Sequence, residues 1–95
     1  MTFPLSSATN ANVTVGTSTT AILAANGQRH YAAIINSGSY PVYLGIGAAA
    51  VADKGIYLAP SGGSYEINEQ NLFIGAINGI AVGGDSNVTV VHSSY

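Results

Sequence analysis

The chain is governed by its punctuation. Short runs of β-branched and aliphatic residues are cut by glycine, asparagine, serine or proline, and none carries the 3.6-residue apolar period of a helix. Residues 12–15, 18–25, 28–36, 41–46, 56–58, 65–67, 72–77, 80–82 and 87–92 read as strand material. Asn26-Gly27 and Asn78-Gly79 are hairpin signals, because both residue types tolerate positive φ. About eight short strands at this spacing predict an all-β fold, a small antiparallel β-sandwich or jelly roll. At 95 residues the chain has room for one core and not two.

Alternation assigns Val15, Ile22, Ile35, Val42, Leu44, Ile46, Ile56, Leu58, Ile67, Ile74, Val82, Val88 and Val90 to that core. Two runs resist the rule. Residues 28–36 are apolar on both faces, with Tyr31, Ala33 and Ile35 on one and Ala32 and Ile34 on the other. Residues 72–77 are apolar all round, as a strand buried on both sides would be. The fragment Asn-Val-Thr-Val occurs at both ends, from Asn12 and from Asn87. Two distant copies make no repeat architecture.

Residues 1–11 are polar apart from Phe3-Pro4-Leu5 and read as a flexible arm ahead of a single domain at 12–95. So short a segment cannot by itself offset its ordering entropy. Phe3 and Leu5 are therefore expected to anchor on a neighbouring subunit.

Charge is what the chain lacks. Charged residues make up 6% of it, where about 25% is usual. The cations are Arg29 and Lys54; the acids are Asp53, Glu66, Glu69 and Asp85. Two cations cannot stripe a phosphate backbone or an anionic membrane, so neither nucleic acid nor membrane is an expected partner. No apolar run approaches the roughly 20 residues of a span, and no leader pattern opens the chain. The expectation is a soluble chain made in the cytoplasm. There is no cysteine, hence no disulfide and no thiolate metal site. A surface covered with Ser, Thr, Asn, Gly, Ala and Tyr has the make-up of an interface, which is depleted in Lys, Glu and Asp. Homo-oligomeric assembly is expected, a trimer before other states.

Little of the chemistry-bearing material forms a constellation. His30 and His92 have no third histidine, and both are expected at the surface. Glu66 and Glu69 are three apart, which sets them on opposite faces of a strand. The glycine-rich stretch at 83–87 offers calcium one acid, Asp85. Gly45-Ile46-Gly47 has Ala50 where a dinucleotide loop needs its third glycine. No Gly-x-Ser-x-Gly elbow is present. No catalytic, metal or cofactor-binding residue is assigned, and no enzyme activity is expected. Arg29, the lone arginine, is expected to have a fixed partner: Glu66 or Glu69, turn carbonyls, or a neighbouring subunit. Tyr43 and Tyr57 fall opposite the assigned core faces, and Tyr40 sits in a turn. With Phe3, Leu5 and Arg29 they are the interface candidates.

One order of motifs has a family likeness. Asn26-Gly27-Gln28-Arg29 leads into Ala33-Ile34-Ile35-Asn36-Ser37-Gly38, then Val42-Tyr43-Leu44-Gly45. Gly55-Ile56-Tyr57-Leu58-Ala59-Pro60 and Ser64-Tyr65-Glu66 follow. This order resembles the small β-sandwich virion proteins of tailed phages, of the capsid decoration or cement type. The likeness runs from Asn12 to His92 and departs at Ser61-Gly62-Gly63, a longer turn after Pro60. It implies a non-enzymatic structural protein of the virion, assembled in the host cytoplasm. Such a protein would decorate or cement the capsid exterior as a homo-oligomer, with the phage major capsid protein as partner. The alternative is a carbohydrate- or receptor-binding β-sandwich module of a virion fibre or tail, working by tyrosine stacking.

Overall fold

The computed structural model describes residues 8–94. Phe3 and Leu5, and with them the anchoring expected of the arm, lie outside the described residues. Eight strands form: β1 (Thr9–Val15), β2 (Thr20–Leu23), β3 (Arg29–Asn36), β4 (Val42–Ile46), β5 (Ile56–Leu58), β6 (Gly63–Ile67), β7 (Ile77–Ala81) and β8 (Ser86–Ser94). No helix occurs among the described residues. β1 takes in residues 9–11, which the sequence placed in the arm.

The strands make two four-stranded sheets, ordered β1-β8-β3-β6 and β2-β7-β4-β5. Every ladder is antiparallel. The pairs β1:β8, β2:β7, β3:β6 and β4:β5 are those of one long hairpin bent between β4 and β5. The further ladders β8:β3 and β7:β4 roll that hairpin up, so that successive pairs fall in alternate sheets. This is the jelly-roll order, one of the two architectures the punctuation predicts.

Val15, Ile22, Val42, Leu44, Leu58, Ile67, Val88 and Val90 fill the space between the sheets as expected, and Ile56 packs partly against them. Leu23, Ala32, Ile34, Ile77 and Ala81 complete the cluster. Four assignments are corrected. In β3 the buried phase is His30, Ala32, Ile34 and Asn36, so Ile35 faces outward and is half-buried. Ile46 keeps the inward phase but ends β4, where it stays exposed. Val82 lies just beyond β7 in the outward phase of Ile80 and is exposed. Ile74 is exposed because residues 72–76 are a loop and not a buried strand.

Both hairpin signals are corrected too. Residues Asn26-Gly27 do turn the chain, with Arg29 N–H donating to Asn26 O at 3.1 Å, but they link β2 in one sheet to β3 in the other. Asn78-Gly79 lies inside β7. A Cβ on Gly79 would lie 2.6 Å from Ile22 Cδ1, so the end of that side chain would have to shift to admit one.

The sandwich is tied by a buried polar hub. Asn36, fully buried at the end of β3, donates through Nδ2 to Tyr40 O at 2.8 Å and Leu58 O at 3.1 Å. Its Oδ1 accepts from Ser86 Oγ–H at 2.7 Å and Gly38 N–H at 3.1 Å. One amide thereby joins β3, β5, β8 and the β3–β4 turn, and its side chain makes four hydrogen bonds, its full capacity for donation with both lone-pair sites used.

Candidate functional site

The outward face of the β2-β7-β4-β5 sheet carries an aromatic row. Tyr43 of β4 is directly opposite Tyr57 of β5 on one side and Ile80 of β7 on the other. Their alternation follows from Val42, Leu44 and Leu58 taking the inward phase. The Tyr43 and Tyr57 rings lie 5.2 Å apart between centroids and are tilted by 57°, a packed pair and not a level platform. Tyr57 is 53% exposed. Tyr43 O–H donates to Asp53 Oδ1 at 3.1 Å, which ties the β4–β5 loop to the row. Desolvation raises the Tyr43 pKa, with the Asp53 hydrogen bond adding to it. Val82, two residues on from Ile80, extends the apolar strip. Its N–H donates to Pro41 O at 3.1 Å, and the ring of exposed Tyr40 lies against Gly83 and Gly84. Tyr40, Tyr43 and Tyr57 are thus all displayed on or beside this sheet, joined by Ile80, which the sequence did not single out, and by Val82, which it assigned to the core. Ile80 could have been found from register alone, once β7 was placed beside β4.

The other sheet's outer face is also poor in charge. It shows Asn12 and Thr14 of β1, Thr89 and Val91 of β8, Ala33 and Ile35 of β3, and Glu66 of β6. Glu66 accepts from Tyr31 O–H at 2.9 Å and from Asn68 Nδ2 at 3.2 Å. The hydrogen bond to Glu66 is the chief reason that the Tyr31 pKa is raised.

Arg29 is no part of either surface. It is 3% exposed, and of the three kinds of partner expected it has turn carbonyls. Nη1 donates to Phe73 O at 2.9 Å and Gly75 O at 3.0 Å, and Nη2 donates to Ala24 O at 2.6 Å. Burial lowers its pKa, which a guanidinium tolerates while keeping its charge. Asn26 N–H donates to Ile74 O at 2.7 Å beside it. These bonds satisfy the carbonyls of Phe73, Ile74 and Gly75 away from any sheet, as an apolar run in a loop requires.

His30 is buried, against the expectation of an outward ring, and its Nε2 lies 3.1 Å from Ser93 Oγ. His92 is half-buried within β8 and not a frayed end. It borders two open hollows, of about 280 Å³ beside Thr9 and Ser94 and about 310 Å³ beside Leu23 and Arg29. Among the described residues no three His, Asp or Glu side chains come together as a metal site would need. What the two outer faces offer chemically is apolar contact and hydrogen bonding, with one carboxylate on each, Asp53 and Glu66. No family model, curated protein or solved structure significantly matches this chain.

Proposed function

We propose that the chain is a non-enzymatic structural protein that docks as a homo-oligomer on a larger protein assembly. The exterior of a tailed-phage capsid is the assembly to which its turn motifs point. The observation that carries this reading is the Tyr57–Tyr43–Ile80–Val82 strip on the outward face of a sheet. Aromatic side chains at the centre of a contact supply most of its energy. An adherent protein repeated over many equivalent sites needs only modest affinity at each. The 57° tilt of the tyrosine pair counts against flat sugar stacking, the rival use of such residues.

The test is co-sedimentation of the purified chain with empty capsid shells, alongside Tyr57→Ala and a glycan array. Saturable pelleting that weakens about tenfold or more in Tyr57→Ala is expected. Failure to pellet with shells overturns the reading, and glycan binding in its place moves the protein to the fibre-module alternative.

A further inference from the structure

Sheet edges are liabilities that folded proteins blunt by shortness, charge, proline or a bulge. Three of the four edges here are blunted. β5 has three residues, β2 has four and a register shift between Ala21 and Leu23, and β6 carries Glu66. β1 has none of these devices. It runs seven residues in unbroken register against β8, without charge or proline, and is exposed at Thr9–Asn12 and Thr14.

The two Asn-Val-Thr copies explain what such an edge accepts. They pair with each other: Asn12 is opposite Thr89, Val13 opposite Val88 and Thr14 opposite Asn87. Asn-Val-Thr is therefore its own antiparallel complement, amide against hydroxyl and valine against valine. β1 meets one copy of this sequence along its inner edge and presents the same side chains along its outer edge.

We infer that β1 is a homodimerisation edge, where a second copy of the chain pairs antiparallel about a two-fold axis at Val13. In that register Ala11 meets Val15 of the second copy, Asn12 meets Thr14, and Val13 meets Val13. Positions that sum to an even number keep inward side chains beside inward ones and match backbone groups of the same orientation; an odd sum would do neither. The two β1-β8-β3-β6 sheets become one eight-stranded sheet, an isologous interface. The inference rests on the reading of the chain as an assembling protein. It replaces the expected three-fold symmetry with a two-fold.

The test is the mass of the full chain by analytical ultracentrifugation, with no capsid present. Asn12→Lys/Thr14→Lys sets like charges opposite each other twice across the axis, while changing only exposed positions in the monomer. It should weaken the dimer by about tenfold or more. Asn12→Lys/Thr14→Glu sets opposite charges there and should restore the dimer, now salt-sensitive. Thermal melts establish that each variant folds. Amide exchange of residues 11–15 in the unsubstituted chain, slowing as concentration rises, gives a reading that needs no variant. A wild-type mass of one or three chains overturns the inference. So does a folded Asn12→Lys/Thr14→Lys that still dimerises, or exchange at 11–15 that ignores concentration. A chain that dimerises yet ignores capsid shells overturns the docking reading alone.

Discussion

Replacing Asn36 by alanine removes four hydrogen bonds at once, and the cost depends on where the abandoned partners sit. Tyr40 is exposed and Gly38 half-buried, so the Tyr40 carbonyl and the Gly38 N–H can turn to water. Ser86 is 1% exposed, so its hydroxyl cannot, whereas the Leu58 carbonyl keeps its place opposite Val42 in the β4:β5 ladder. One buried hydroxyl left unsatisfied costs about 1–3 kcal/mol, the three other lost hydrogen bonds about 0.5–1.5 kcal/mol each, and the void adds to that. The expected total is about 3–5 kcal/mol. In a domain of this size that lowers the melting temperature by about 15–30 °C. Circular dichroism melts with urea titration at pH 7 measure it. Asn36→Asp adds a pH signature, because a carboxylate would face the Tyr40 and Leu58 carbonyls. Its folded-state pKa must rise above the unfolded value of about 3.9, so the folded form holds the extra proton. Stability of that variant therefore falls as pH rises from about 4 to the folded pKa, and recovers in acid. A loss below about 1 kcal/mol in Asn36→Ala would refute the accounting, and a pH-independent Asn36→Asp would refute the carbonyl assignment.

Leu44→Ala, at a fully buried position of β4, should cost about 2–5 kcal/mol in urea unfolding. Arg29→Met should keep the stem's packing but strip three carbonyls of their donor, costing about 2–3 kcal/mol. Its diagnostic is faster amide exchange in residues 72–76 than in β8. Spectrophotometric titration of the phenols should find Tyr31 and Tyr43 ionising above their ordinary value. Glu66→Ala should bring Tyr31 down and leave Tyr43 in place. Because these folded-state values are raised, their stabilising contribution is present below about pH 10 and is lost as pH climbs through them.

Seven of the eight strands were legible because most turn residues act locally; β7 was not, since Asn78-Gly79, read as a turn, lies inside it and residues 72–76, read as a strand, are a loop. The jelly-roll order was not, since sheet partners are set by packing between distant segments. Arg29's need for a fixed partner could be read from its solitude among neutral residues. Which of the three kinds it would be could not, because the 72–76 loop that supplies two of the carbonyls looked like a strand. Tyr43 and Tyr57 were found by alternation against clean aliphatic phases in β4 and β5. Val82 was misread for want of that contrast: across residues 80–82 apolar follows apolar, and only the neighbouring β4 fixes which phase is inward. Asn36 and His30 defeated the pattern outright, for polar residues in a strand are assigned to water unless their partners are known.

That last failure shows how the fold chooses its register. In β3 the inward residues Ala32 and Ile34 and the outward residues Ala33 and Ile35 are the same two side chains in the same order. A one-residue slip would exchange these four with no change in the apolar area they bury, so they cannot hold the strand in place. Asn36 can. Its amide finds Ser86, Leu58, Tyr40 and Gly38 only when Ile34 faces the core. Buried polar groups that specify register at some cost in stability are known from coiled coils, and the same logic applies here. Asn36→Leu removes the selector while keeping apolar volume. Combined with Ser86→Ala, which removes the hydroxyl it would strand, the variant should still fold. It should then show two sets of methyl resonances for Ile34 and Ile35 in a carbon–proton correlation spectrum, where the natural chain shows one. A single set at the natural positions would mean that the flanking turns hold β3 unaided, and that the Asn36 hub contributes stability without choosing the register.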